Sequence, residues 1–522
     1  MIEYDYLDFL AWLRSAYIRR SKSCNALVLG LLLLTWTPSL KAIDATSKPS
    51  GIPQVDIDWT KTVRISRSTP TLQVVVNPLL RRGSTIHDPV FSALHNLGAE
   101  NVRYVPWLSY PRLAVAELEP PSATKTSWDF SLIDPMTLDF LEATKGHSII
   151  LNFSTIPQWL FKTPKPVTYP NDPDKPYRKY TQGTELNDPT LKELGDYYAR
   201  LVSWYSQGGF NDELGLRHNS GYHFAIPWWE VLNEVDGEHH TTPQEYTERY
   251  DAIVSAIHKV SPQTKFVGLA LGRASRFDYY EYFLNPKNHQ PGVPLDMISY
   301  HFYASPAKGT NAADPNTWHF CEQADSFINT VRKIESIRQK LSPATQTDAD
   351  ELGVIAPDAS WNNLPVYWNA AGAMYAYLYL ELSTLGIEGI SESQLVGYPT
   401  QFPSVSMVNW TTGKPNARFR DLELLRNNFG PGDTLVSTQV SVPDVAAQAY
   451  RTTAGRKLLL VNKESAAIEL NLPAEAAGAR MDVVDSTTGE NQARNSTVSG
   501  TRLTLAPFAV AVISFVPTQK SP

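Results

Sequence analysis

The sequence predicts an α/β protein: a (β/α)8 TIM barrel followed by a C-terminal antiparallel β-sandwich. Three observations lead there. Between about 72 and 396, short β-branched runs alternate with longer amphipathic stretches, eight times over. The short runs are continuously apolar, as in a parallel sheet covered on both faces. After about 430 the helical period disappears, and short alternating segments divided by turn residues replace it. Eight units favour a closed barrel over an open sheet. The first run continues into NPLLRRGS, which is not the GxGxxG of a dinucleotide fold.

Taken in order, LQVVVN (72–77) is the first strand, and HDPVFSALHNLG (87–98) is a helix closed by Gly98. NVRYVPW (101–107) pairs with the helix at 132–146, and HSIILNFS (147–154) with the helix at 188–207. WWEVLNE (228–234) precedes the helix at 242–260, and TKFVGLALG (264–272) a short helix near 278–284. LDMISYHFYA (295–304) leads to the helix at 322–341, and TQTDADELGVI (345–355) to the helix at 367–386. IEGISESQLV (387–396) is the eighth strand. The tail from LVSTQVSV to RLTLAPFAVAVISFVP forms the sandwich. VDIDWTKTVRISRSTP (55–70) also reads as strand and is expected to join it. The expected divisions are a leader at 1–45, linker and strand at 46–71, barrel at 72–428 and sandwich at 429–522.

In the leader, Arg19, Arg20 and Lys22 precede the apolar run ALVLGLLLL (26–34), and small residues around Ala42 and Ala45 follow. That order is a secretory signal, and the run is too short to span a bilayer comfortably. The expectation is a secreted or periplasmic protein with no stable membrane insertion after processing. If the leader is retained, it is an anchor.

The chain has 522 residues, of which 42% are hydrophobic and 11% aromatic, enough for a large core plus rings to line a site. A net charge of −7 argues against a nucleic-acid partner. Cys24 and Cys321 are the two cysteines. With Cys24 in the leader, no internal disulfide is expected. No Cys/His cluster has zinc spacing, and Glu238, His239 and His240 lack a distant third ligand. Neither a metal nor a cofactor is expected.

In such a barrel the chemistry gathers where strands end at the C-terminal face. Asn77 ends the first strand, Arg103 and Trp107 the second, and Asn152 the third. Asn233 and Glu234 end the fourth, His301 and Tyr303 the sixth, Glu351 the seventh, and Glu392 and Gln394 the eighth. Burying a carboxylate at a strand end is costly unless it is paired, protonated or used. Two facing carboxylates are the machinery of glycoside cleavage. Trp228 and Trp229 are expected to wall Glu234 and raise its pKa. Trp107, Tyr110, Trp159, Tyr398, Phe402 and Trp410 are candidates for stacking on sugar faces.

The Asn-Glu pair in VLNEVD, the His-x-Tyr of YHFYA and the glutamate of TDADELGVI together resemble the clan A retaining glycoside hydrolases. With the trailing sandwich, the chain resembles glycoside hydrolase family 39, the β-xylosidase and α-L-iduronidase family, over about 55–517. The resemblance implies Glu234 as acid/base, Asn233 as a partner of the sugar 2-hydroxyl and Glu351 as nucleophile. It further implies that Tyr303 orients Glu351 and that His301 lines the subsite. Arg103, Asn152, Trp107, Trp159, Glu392 and Gln394 complete the expected carbohydrate-binding set. TDADELGVI departs from the family's Thr-Glu nucleophile pair, which leaves Glu392 as a rival nucleophile. It also leaves a second reading of the whole chain, a non-catalytic carbohydrate-binding protein on a decayed barrel.

Overall fold

The computed structural model describes residues 51–177, 183–306, 314–356, 364–397 and 403–516. The chain divides into two units, Met1–Gly51 and Ile52–Pro522. The expected leader, with Cys24, and the stacking candidates Tyr398 and Phe402 lie outside the described residues.

In the second unit, β1 (Val55–Ile65) comes first, and β2 (Thr69–Val75) opens the barrel. That strand starts before the expected Leu72, because its ladder already pairs Thr69 with Gly389. Next come α1 (His87–Leu97), β3 (Val102–Val105), α2 (Asp134–Ala143), β4 (Ile149–Leu151) and α3 (Lys192–Ser206). A hairpin, β5 (Gly209–Asn211) with β6 (Arg217–Asn219), interrupts the alternation. The rest of the barrel is β7 (Trp228–Glu230), α4 (Pro243–Val260), β8 (Lys265–Leu271), α5 (Phe277–Phe283), β9 (Met297–Ala304), α6 (Phe320–Leu341), β10 (Gln346–Val354), α7 (Leu364–Leu385), β11 (Gly389–Glu392) and α8 (Ala417–Asn428). Eight strands close in the order β2-β3-β4-β7-β8-β9-β10-β11, and neighbours are parallel.

Local chemistry sets the helix ends. α1 buries Val90, Phe91, Leu94 and Leu97 on one stripe, and Gly98 at φ 57° stops it with its N–H on the Leu94 carbonyl. α4 opens on a reciprocal cap: Thr242 accepts the Glu245 N–H while Glu245 accepts that of Thr242. Pro243 fills its first position, and His258 and Lys259 lie in its last turn, where the helix dipole favours cations.

After α8 the chain forms β12 (Thr434–Val440), β13 (Val445–Thr452), β14 (Gly455–Asn462), β15 (Ile468–Asn471), β16 (Arg480–Val484), β17 (Arg494–Thr497), β18 (Arg502–Leu505) and β19 (Val510–Ser514). The large sheet runs β1-β12-β13-β14-β19-β16-β17, so residues 55–65 pair with a strand almost the whole chain away. β15 and β18 form a second sheet, and Leu470 and Leu505 from it share an apolar cluster with Leu458, Leu460 and Ile513 of the first. α7 is apolar nearly all round because it is covered twice, by the barrel and by β13, β14 and β19. None of the described helices is long and apolar enough to cross a membrane.

Candidate active site

On a regular strand, Asp348 and Asp350 would share one face and Glu351 would take the other. β10 does not stay regular. Its ladder slips between Asp348 and Glu351 against β9, and between Ala349 and Leu352 against β11. Such a bulge re-aims side chains. Here it brings Asp350 and Glu351 together against residues of β3 and β9.

The opposite side is built by a turn. After Glu230 the chain passes through Leu232 at φ 67° and Glu234 at φ 41°, left-handed conformations at non-glycine residues. Each costs about 1–3 kcal/mol and persists only where the surroundings enforce it. The Glu234 N–H is tied to the Ala270 carbonyl. Gly272 makes room for the side chain, since a Cβ there would lie 2.9 Å from the Glu234 carboxyl carbon.

The result joins three groups from three elements. Nδ1 of His301 lies 3.1 Å from Glu234 Oε1 and 3.5 Å from Glu351 Oε2. One ligand atom from each of Glu234, His301 and Glu351 falls within 4.8 Å of the others. Glu234 is 23% exposed and Glu351 9%, so both carboxyls reach the opening while His301 beneath them is sealed.

Glu351 is gripped by two donors. Arg103 Nη1 donates to Oε1 at 2.6 Å, and the Tyr303 hydroxyl donates to Oε2 at 2.7 Å. Because Tyr303 gives its one proton to Glu351, Ser393 Oγ at 2.6 Å is its donor, and Gln73 Nε2 in turn donates to Ser393 at 2.6 Å. This chain orients the carboxylate from below.

Electrostatics separate the two acids. Burial raises the Glu234 carboxyl above the ordinary carboxylate range. His301 opposes the rise, while the negative charges of Glu351 and Asp236 add to it. Burial works against a charge on His301. The carboxylates of Glu351 and Asp350 overcome it and hold the imidazole well above its ordinary value. Glu234, His301 and Glu351 have the spacing of a metal site. However, an imidazolium has no lone pair to give, and Arg103 already supplies Glu351 with a cation.

Several expected site residues have other positions. Arg103 is fully buried, and every nitrogen is engaged: Nε by Glu230 and Asp350, Nη1 by Gln73 and Glu351, and Nη2 by Asn233 at 2.6 Å. Asn152 is fully buried too and donates to Glu230 and the Leu232 carbonyl. Both are therefore floor beneath the carboxylates, not sugar contacts. Glu392 is corrected both as rival nucleophile and as sugar ligand. Ser391 and Ser393 face the barrel interior, so Glu392 between them points to the helical layer, where Arg418 of α8 pairs with it at 2.7 Å. Trp228 and Trp229 do not wall Glu234. Trp228 clusters with Ile150, Val267 and Met297 under Lys265, and Trp229 packs on Phe153 and Tyr198 in the helical layer. Asn77 caps the short turn at 78–80, and Tyr110 is buried. Gln394 is also buried, and its N–H bonds the Val405 carbonyl. Trp159 is half-buried, its indole N–H on the Glu117 carbonyl, and Trp410 packs against the main core. Trp107 does reach the site, donating to Glu238 at 2.8 Å.

Five residues of the site were missed. Glu230 accepts from Arg103, Asn152 and Ser299, and Asp350 lies 3.1 Å from Arg103 and 3.5 Å from His301. These two acids share one guanidinium. Burial lifts Glu230 to about 7, whereas Asp350 is lowered by Arg103 and His301 in spite of its burial. Gln73, Ser393 and Glu238 complete the set. The period-two acids of TDADE were the signal available for Asp350.

Residues 52–374 match a family model described as glycosyl hydrolases family 39, and residues 443–513 match one described as the C-terminal immunoglobulin-like domain of D-apionate lactonase. No curated protein matches the chain. Among solved structures, the GH51 arabinofuranosidase from Xanthomonas axonopodis pv. citri is similar, with a TM-score of 0.60 at 11% identity over 89% of this chain and 100% of that one. The thermostable GH51 alpha-L-arabinofuranosidase from Thermotoga petrophila RKU-1 gives 0.59 at 15% over 88% and 99%. A GH30 endoxylanase from Clostridium papyrosolvens C71 gives 0.54 at 14% over 89% and 100%. At these identities the likeness is one of fold.

Proposed function

Because the chain belongs to family 39 of the glycosyl hydrolases and is a glycoside hydrolase, we propose that it cleaves O-glycosidic bonds by double displacement with retention of configuration. The observation that carries this reading is the Glu234–Glu351 approach. Carboxylate oxygens within 4.8 Å fit the roughly 5–5.5 Å carboxyl spacing of retaining enzymes and leave no room for the water of an inverting one.

In the first step Glu351 attacks the anomeric carbon while Glu234 gives its proton to the departing oxygen. The raised Glu234 carboxyl suits that task. In the second step Glu234, now a carboxylate, takes a proton from water as the water displaces the Glu351 ester. His301 spans both acids and supplies positive charge where negative charge moves between them. Asn233, its Oδ1 fixed by Arg103, keeps one Nδ2 hydrogen beyond its bond to Glu238 and bonds a sugar hydroxyl with it.

The substrates proposed are plant or microbial oligo- and polysaccharides of β-xylosidase-like or related type. Export is part of the same proposal, supported by the leader pattern at 19–45. The test is hydrolysis of aryl glycosides by the full chain, with the first-formed anomer read by NMR. Retention is expected, and a first product of inverted configuration would overturn the mechanism.

A further inference from the structure

Arg103 and Tyr303, which grip Glu351, are joined behind it by a single amide. Gln73 on β2 stands directly across the ladder from Arg103 on β3. Its Oε1 accepts from Arg103 Nη1 at 2.8 Å. Its Nε2 donates to Ser393 Oγ at 2.6 Å and lies 3.5 Å from the Tyr303 hydroxyl. Ser393 Oγ is 2.6 Å from that hydroxyl, which reaches Glu351 Oε2 at 2.7 Å. Arg103 Nη1 closes the ring at Glu351 Oε1, 2.6 Å away. Gln73 and Ser393 are buried. The backbone of β10 fixes the far side: the Ser393 N–H bonds the Leu352 carbonyl at 2.8 Å, and a Cβ at Gly353 would lie 3.0 Å from the Tyr303 ring and 3.1 Å from the Ser393 carbonyl oxygen.

The two hydroxyls in this ring can each point either way, and only one sense serves the nucleophile. Tyr303 has one proton and two acceptors at nearly equal distance, Glu351 and Ser393. Given to Glu351, the proton holds the carboxylate. Given to Ser393, it leaves Oε2 without that donor. The choice is made at Gln73. A guanidinium carries donors only, so the amide turns its oxygen to Arg103 and its nitrogen to Ser393. Ser393 then accepts from Gln73 and gives its own proton to Tyr303, and Glu351 is the acceptor left to Tyr303. With a cation at one end and a carboxylate at the other, every bond runs in one sense, and bonds so aligned polarise one another.

We propose that Gln73 is a positioning residue whose amide, locked by Arg103, sets the order of protons through Ser393 and keeps the Tyr303 hydroxyl on Glu351. The inference rests on the glycosidase reading above and adds to it a requirement for an amide, not an acid of the same shape, at position 73. A carboxylate there accepts at both oxygens. It would take the Ser393 proton, Ser393 would draw that of Tyr303, and Glu351 would lose a donor with every heavy atom in place. That donor serves both steps: it aims Glu351 for attack and stabilises it as the departing carboxylate.

The test compares kcat and KM of the full chain on aryl glycosides for wild type, Gln73→Glu, Ser393→Ala and the double variant, from about pH 5 to about pH 8. Q73E is expected to lose about 10²-fold in kcat with KM not raised. The loss should deepen as pH rises, because a protonated acid at position 73 still donates to Ser393 and a carboxylate cannot. S393A is expected to lose less, about tenfold, since Tyr303 then has Glu351 as its near acceptor but lacks its own donor. The double variant is expected to recover from the Q73E level to about the S393A level. A structural loss, or one caused by the added charge alone, would not be relieved by removing Ser393. Wild-type kcat in Q73E at every pH, or a double variant no better than Q73E, overturns the inference while leaving the glycosidase reading intact. If Q73E does not fold, neutron diffraction from deuterated wild type decides: the Tyr303 deuteron is expected on the Glu351 side and the Gln73 nitrogen toward Ser393, and either one reversed overturns the inference. If wild type releases no aryl alcohol from any glycoside, the glycosidase reading falls and this inference falls with it.

Discussion

Glu234 and Glu351 stand within 4.8 Å of each other, oxygen to oxygen, with the His301 imidazole between them. Glu234 follows β7 and Glu351 lies on β10, and they reach this distance by different irregularities, a left-handed turn in one case and a bulge in the other.

Glu351→Gly is expected to abolish turnover of the full chain, and added azide to restore it as a glycosyl azide of the opposite configuration. Glu234→Gln should cost about 10²–10⁴-fold in kcat/KM on substrates with poor leaving groups and much less on aryl glycosides whose leaving group needs no proton. Equal losses on both kinds of substrate would remove Glu234 from the acid role.

Glu351 raises the Glu234 carboxyl by its charge. Glu351→Gln should therefore lower the Glu234 pKa, since one negative neighbour is lost. Carbon-detected NMR titration of the inactive variant reads this directly. In wild type, activity should fall on the alkaline side as Glu234 ionises, and that limb should be lost in Glu234→Gln.

Gly272→Ala tests the seat of the acid. The new methyl would fall 2.9 Å from the Glu234 carboxyl. A displacement of about 1 Å should cost about 10²-fold in kcat, with the thermal transition nearly unmoved. A fully active variant would show that Glu234 does not depend on this contact.

Stability should decline from mildly acidic to alkaline pH. Burial raises Glu117 to about 8, and Glu230 and Glu392 to about 7. Each holds its proton more tightly when folded, so its contribution is complete below the unfolded value near 4.5 and is lost as pH rises to about 8. Asp212 acts in the opposite sense. Against its burial, hydrogen bonds from His218 and Thr126 hold it at about 2, and its contribution is lost below about 3.8. The melting temperature should peak near pH 4–5, and Glu117→Gln should flatten the alkaline decline. A melting temperature that climbs from about pH 5 to about pH 8 would contradict this ordering.

The eight-fold alternation and the sandwich were legible because each rests on a long periodic signal. Glu234 was legible because an acid at the end of an apolar run is locally anomalous. What failed was direction. Placing Glu392 at the site and Trp229 beside Glu234 required knowing which face each strand turns inward, and a single bulge or turn resets that phase. Arg103 and Asn152 were found as strand-end polar groups. Nothing in their spacing says that they lie below the acids, because depth along the barrel depends on the stagger of eight strands.

α7 has a consequence for how this chain can be divided. Its outer face is covered by the sandwich, Asn369 donates to the Pro507 and Phe508 carbonyls, and Trp318 lies between Tyr367 and Phe508. The catalytic half is therefore no interchangeable cassette. Expression of a fragment ending after α8 should yield aggregates, and recombination that trades the tail for an unrelated one must first find a replacement hydrophobic lid for that helix.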